Sequence, residues 1–233
     1  MAWLTFLLSV TFAVSPLFTD PFTGFRADQL PVPQVTPPIQ PAGYAFAIWG
    51  VIYLWLIASA GFGALKRAQD PAWQATRPWL IVSLGIGTFW IAIANASVLW
   101  ATVTIWMMLA TALIALVKSP VTDRLWLRAP LGLYAGWLSA ASFVSLAALL
   151  AGNDLITDGY GWALILIPAA FLLAATVQFS QARAFEYGLA VAWAFLAIVV
   201  ANQGLVEILA SIAAAFILIL AIRSARAQTG EIL

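Results

Sequence analysis

The 233-residue sequence contains no cysteine and no histidine, and these two absences exclude several kinds of chemistry. Without thiols there is no disulfide and no thiolate ligand, and without imidazole there is no histidine ligand for a metal or a haem iron. A Ser-His or Cys-His catalytic pair is excluded for the same reason. Any enzyme whose mechanism needs one of these groups is therefore excluded.

Charged residues are scarce, at 8% of the chain, whereas a soluble domain carries about a quarter. Hydrophobic residues make up 64%, and the mean hydropathy is +1.00. A formal net charge of +1 without a basic patch gives no reason to expect a nucleic-acid partner. The composition is typical of an integral membrane protein surrounded by membrane lipids.

Apolar runs separated by prolines, turns and charged residues predict an all-α, polytopic transmembrane helix bundle of about eight spans. The expected helices cover about 1–18, 42–65, 78–97, 100–117, 130–151, 160–179, 185–201 and 204–222. We interpret 1–233 as a single membrane domain in which 20–41 is an extramembrane loop stiffened by prolines. The first apolar segment has no basic residue in front of it, which favours a retained helix over a signal peptide.

The basic residues are distributed unevenly among the predicted loops. Nine of the ten fall in the even-numbered loops or after the last helix, and Arg26 alone falls in an odd-numbered loop. Since cytoplasmic loops are rich in Lys and Arg, we expect both termini in the cytoplasm. No charged residue lies near the middle of a predicted span, which argues against ion-coupled transport and retinal binding.

Three aromatic residues of the second predicted helix, Phe46, Trp49 and Tyr53, recur at i, i+3 and i+7 and share one helix face. Such a stripe is typical either of packing between helices or of a surface that grips a flat, amphipathic ligand. The spacing alone leaves both interpretations open.

The fifth predicted helix carries small residues at four-residue spacing, namely Gly132, Gly136 and Ala140. Small residues at this spacing let two helix backbones approach each other closely. We therefore expect a packing face there, either within the bundle or between two copies of the chain.

Two blocks of sequence resemble the TspO/MBR family, the tryptophan-rich sensory or translocator proteins. The run Gln40-Pro-Ala-Gly-Tyr-Ala-Phe-Ala-Ile-Trp-Gly-Val-Ile-Tyr53 is similar to the first-helix signature of its longer, eight-helix branch. The block from Arg128 to Ala141 resembles the family's Pro-Tyr-x-x-Trp helix. The family's usual Asn-x-x-Trp pattern is absent, because the third helix reads Gly87-Thr-Phe-Trp90.

The resemblance implies a five-helix core at 42–180, a first helix at 1–19 and two extra C-terminal helices at 184–223. It implies a sensor, carrier or regulator of pigment metabolism in the bacterial inner membrane, which binds a porphyrin or other tetrapyrrole, a carotenoid or a sterol-like lipid without a covalent bond. No metal and no catalytic residue is implied. The implied ligand site is lined by Phe46, Trp49, Tyr53, Phe89, Trp90, Tyr134 and Trp137, and capped by Pro37, Pro38 and Pro41.

Two other functions stay open. A small, charge-poor bundle is compatible with an accessory subunit of a larger membrane pigment–protein complex, or with a homodimer. An enzyme acting on a membrane-soluble substrate is the weakest alternative, because acid–base chemistry would then depend on Tyr53, Tyr134, Glu186 or Glu207.

Overall fold

The computed structural model describes residues 1–22, 24–34 and 36–230, with side chains described through residue 226. Within these residues the chain forms eight α-helices and no β-strand, which confirms the all-α fold class. The helices are α1 Ala2–Val14, α2 Ile48–Lys66, α3 Pro71–Ala96, α4 Val98–Lys118, α5 Arg128–Gly152, α6 Gly159–Ser180, α7 Phe185–Ala201 and α8 Leu205–Gly230. A 3-10 helix, Gly43–Ala47, leads directly into α2.

Six helices of the described chain are long and apolar enough to cross a membrane, so the predicted polytopic bundle is confirmed. Two apolar segments are shorter, Ala2–Phe18 and Phe185–Ala201. Their 17 residues extend about 25 Å, against a hydrocarbon core about 30 Å thick. The count of eight spans therefore stays a prediction.

The start of α3 corrects a predicted boundary. The residues up to Arg77 were expected to form a loop, yet the helix begins at Pro71. Asp70 caps it, because its carboxylate accepts hydrogen bonds from the backbone N–H groups of Ala72 at 2.9 Å and Trp73 at 3.3 Å. Proline has no backbone N–H, but at the first helical position this group would have no intrahelical partner, so the helix loses no hydrogen bond. Pro78, expected to mark the beginning, lies inside the helix.

The loops gather at two opposite ends of the bundle. We call one the proline-rich end, formed by residues 19–22, 24–34, 36–47, 97, 153–158 and 202–204. Side chains connect its parts: the amide of Gln29 donates to the carbonyl of Ala94 at 2.8 Å, and the amide of Asn202 donates to that of Pro38 at 2.8 Å. The long first loop thus lies across the helix ends.

The other end, which we call the basic end, is formed by residues 67–70, 119–127 and 181–184. Nine of the ten basic residues lie in these loops or in the helix turns beside them. Arg67 donates two hydrogen bonds to the carboxylate of Asp123, at 2.6 and 3.0 Å, and the indole of Trp73 donates a third at 3.1 Å. The guanidinium of Arg67, followed by the indole of Trp73, holds the pKa of Asp123 below its ordinary value.

Helix α5 lies at the centre of the bundle and packs closely on α7. A Cβ added at Gly136 would lie 2.9 Å from the Cβ of Ala190 and closer still to the carbonyl oxygen of Tyr187. A Cβ at Gly132 would lie 3.3 Å from the backbone nitrogen of Tyr187. The structure thus places both glycines of the small-residue stripe against α7, within one chain. The third member, Ala140, lines the cavity described below.

Candidate functional site

An apolar cavity of about 370 Å³ lies inside the bundle beneath the proline-rich end. Its walls come from α1, α2, α3, α4, α5 and α7, and the first loop covers it. Its size falls within the range of about 300–1,000 Å³ that is usual for small-molecule sites. This cavity is the candidate functional site.

The aromatic stripe of the second membrane helix forms one wall, since Phe46, Trp49 and Tyr53 all line the cavity. Trp49 and Tyr53, one helical turn apart, stack on each other with ring centroids 5.2 Å apart and an angle of 20° between the rings. Phe46 meets Trp137 of α5 edge-on, with centroids 5.8 Å apart. The stripe therefore packs against α5 and lines the cavity at once, and its contact with a ligand stays a prediction.

Two residues predicted to line the site lie elsewhere. Phe89 is 65% exposed on the outer face of α3, whereas its neighbour Trp90 lines the cavity. Successive residues of an α-helix are about 100° apart around the axis, so these two rings point in different directions. Tyr134 is completely buried one turn before Trp137, and its hydroxyl lies 2.9 Å from that of Ser83. It supports the wall from behind through an edge contact with Phe12.

Of the three prolines predicted to cap the site, Pro37 and Pro41 line the cavity. Pro38 does not, and its carbonyl instead accepts the hydrogen bond from Asn202 at the start of the α7–α8 turn. Two loop phenylalanines complete the cover. Phe22 meets Phe25 edge-on at 5.4 Å and Trp90 at 5.2 Å between centroids.

Helices outside the predicted five-helix core contribute side chains that the sequence reasoning missed. Phe12 of α1 is 4% exposed and meets Tyr53 edge-on, with centroids 5.0 Å apart. Ala194 and Ile198 of α7 also line the cavity, whereas no described residue of α6 does. Phe12 shares the buried face of α1 with Ala2, Thr5 and Ser9, which recur at helical spacing; this spacing is a signal in the sequence that the reasoning did not use.

The described residues that line the cavity include no charged side chain. The polar groups among them are few: the amides of Gln34 and Gln40, the hydroxyls of Tyr53 and Ser145, and the indoles. The Ser145 hydroxyl lies 2.8 Å from that of Thr102. Among the residues that the structure describes, no group of three His, Cys, Asp or Glu side chains is arranged to hold a metal ion. Such a site is suited to holding an apolar molecule and offers no evident acid–base pair.

Comparison with known proteins gives one result. A family model described as TSPO-like protein matches residues 2–223. The match extends well beyond the two motif blocks and includes α1, α7 and most of α8. Searches of the curated proteins and of the solved structures find no match.

Proposed function

The chain belongs to the TSPO-like protein family of integral membrane proteins, and from this premise we propose that it binds a flat lipophilic molecule in the aromatic cavity. The candidate ligands are a porphyrin or other tetrapyrrole, a carotenoid and a sterol-like lipid. Binding such a molecule would make the protein a sensor, carrier or regulator of pigment metabolism. The observation that carries the proposal is the apolar cavity beneath the first loop, whose walls include aromatic side chains of α1, α2, α3 and α5.

The physical basis of selection differs from that in a soluble protein. A lipophile dissolved in the bilayer is already surrounded by hydrocarbon, so moving it into an apolar cavity gains little from the hydrophobic effect. Selection must then come from shape and from contacts that lipid tails cannot make. The rings of Trp49, Trp90 and Trp137 provide such contacts, because aromatic pairs contribute about 0.5–1.5 kcal/mol beyond the area that they bury.

A cavity-filling substitution tests the proposal. Ala141 of α5 lines the cavity, so Ala141→Phe should place a ring inside it and weaken ligand binding at least tenfold. Ala110→Phe is the matched control, because Ala110 is exposed on the outside of α4. Binding is measured by quenching of tryptophan fluorescence during titration with metal-free protoporphyrin, a carotenoid and a sterol.

The outcomes separate the alternatives. The proposal is refuted if none of the three compounds binds, or if Ala141→Phe binds them as tightly as the parent protein. Co-purification of a stoichiometric protein partner in mild detergent, with no ligand bound, would instead favour the accessory subunit.

We also propose an orientation for the bundle. The basic end would face the cytoplasm, as the concentration of Lys and Arg in cytoplasmic loops requires. The proline-rich end and the covered mouth of the cavity would then face the opposite side of a bacterial inner membrane. Both termini would be cytoplasmic.

A further inference from the structure

We propose that the cavity selects neutral ligands that carry hydrogen-bond acceptors, and that it discriminates against carboxylates. This inference rests on the proposed function, because it concerns the ligand of the same cavity. Two independent observations carry it: polar hydrogens without partners in the cavity wall, and the distribution of charge around the cavity mouth.

The tyrosine hydroxyls differ according to where they lie. Tyr134 and Tyr187 are buried away from the cavity, and their hydroxyls lie 2.9 Å from those of Ser83 and Ser139, respectively. Tyr53 lines the cavity, and its hydroxyl forms no hydrogen bond with any residue that the structure describes. A hydrogen-bond partner for Tyr53 is therefore to be sought inside the cavity.

The buried tryptophans show the same contrast. Trp73 is 3% exposed and donates its indole N–H to Asp123, and Trp162 is 8% exposed and donates to the carbonyl of Leu155 at 2.8 Å. Trp137 is 2% exposed and lines the cavity, yet its indole donates to no described residue, and neither does that of Trp49. An indole N–H is a donor only, so its missing partner must be an acceptor.

The charges near the cavity mouth disfavour an anion. Among the described residues the proline-rich end carries four carboxylates, those of Asp20, Asp28, Asp154 and Asp158, and a single guanidinium, that of Arg26. A fifth carboxylate, that of Glu207, lies beside it in the first turn of α8. Arg26 is already paired with Asp28 at 3.0 Å. A carboxylate entering the cavity would pass the negatively charged proline-rich end and would find no cation among the described lining residues. Its binding is unfavourable because burial of an unpaired charge costs free energy.

Together these features favour ring compounds with ketone, quinone or ester oxygens. Such a ligand places an acceptor at the unpaired N–H and O–H groups while its apolar frame fills the rest of the cavity. A compound with free carboxylates would bind only where those groups remain outside or are neutralised.

Three probes of one ring frame test this selection. We expect 9,10-anthraquinone to bind about two- to tenfold more tightly than anthracene, as one neutral hydrogen bond provides. Anthracene-2-carboxylate at pH 8 should bind at least tenfold more weakly than anthraquinone. Affinities are measured in lipid nanodiscs and corrected for partitioning of each probe into protein-free nanodiscs.

Matched variants locate the hydrogen bond. Tyr53→Phe should lower the affinity for anthraquinone about two- to tenfold and leave the affinity for anthracene unchanged. Tyr187→Phe, which removes a hydroxyl outside the cavity, should change neither. Trp137→Phe should likewise reduce the difference in affinity between anthraquinone and anthracene.

The possible results distinguish this inference from the function on which it rests. If all three probes bind equally and Ala141→Phe blocks them all, the cavity binds lipophiles but does not select acceptors, and the inference fails. It also fails if neither Tyr53→Phe nor Trp137→Phe reduces the preference for anthraquinone. If none of the three probes binds, the inference fails; the proposed function fails with it only if protoporphyrin, the carotenoid and the sterol do not bind either.

Discussion

Replacing Gly136 by alanine tests the closest approach between two helices of this bundle. The added Cβ would lie 2.9 Å from the Cβ of Ala190 and closer still to the backbone carbonyl oxygen of Tyr187. Ordinary contacts of a Cβ are 3.4–4 Å long, so α7 must move by about half an ångström or more. The nearest obstacle is backbone, which cannot rotate away as a side chain does.

Inserting a methyl group into such a packed site typically costs about 1–3 kcal/mol. For a chain of this size, 1 kcal/mol changes the melting temperature by about 2–4 °C. We therefore expect Gly136→Ala to lower the melting temperature by about 2–12 °C. The assay is thermal unfolding of the purified protein in detergent, followed by circular dichroism.

The matched control is Gly85→Ala in α3, where an added Cβ meets nothing within 4 Å. Alanine is a better helix former than glycine by up to about 1 kcal/mol, so this variant should melt at the same temperature or slightly higher. If Gly136→Ala also melts at or above the temperature of the parent, the α5–α7 backbones are not in the close contact described here. That result would refute the reasoning.

The same substitution should affect binding. Because Ala194 and Ile198 of α7 line the cavity, moving α7 changes the shape of the wall. We expect Gly136→Ala to weaken ligand binding, whereas Gly85→Ala should leave it unchanged. Equal affinities in both variants would show that the cavity is insensitive to the position of α7.

Three further predictions concern single features. Arg67 stabilises the folded protein through the ionised carboxylate of Asp123. This stabilisation is present above the ordinary carboxyl pKa of about 4 and is lost as the pH falls through the lowered pKa of the folded state. The melting temperature of Asp123→Asn should therefore fall less steeply with acid pH than that of the parent protein. An equally steep acid dependence in that variant would contradict this. A reporter fused to the C-terminus should be cytoplasmic and one inserted at Asp154 should lie on the other side; a cytoplasmic signal at Asp154 would rule out the proposed orientation. Trp49→Ala should weaken ligand binding about ten- to hundredfold and also lower the melting temperature, because the ring stacks on Tyr53. Unchanged affinity in a folded variant would assign Trp49 to packing alone.

Much of the helical organisation follows from the sequence. The fifth helix was predicted at about 130–151 and spans Arg128–Gly152, because its apolar run ends at clear turn and charge signals. The start of α3 was missed because Asp70-Pro71 was interpreted as part of a loop rather than as a cap followed by a first-turn proline. The family was also recognisable from two short motifs, and the match over residues 2–223 confirms it.

Composition and the position of apolar runs determined by themselves that this chain is a membrane-embedded helix bundle, and two short motifs indicated its family. Which side chains meet at the cavity was decided only by the tertiary structure: Phe12 and Ile198 line it, whereas Phe89 and the whole described length of α6 do not. The physical reason is that a helix in lipid is apolar on its outer face as well as its inner face. Hydrophobic periodicity, which tells the inside of a soluble helix from its outside, carries little of that information here, so the rotation of each helix is set by the packing of its neighbours.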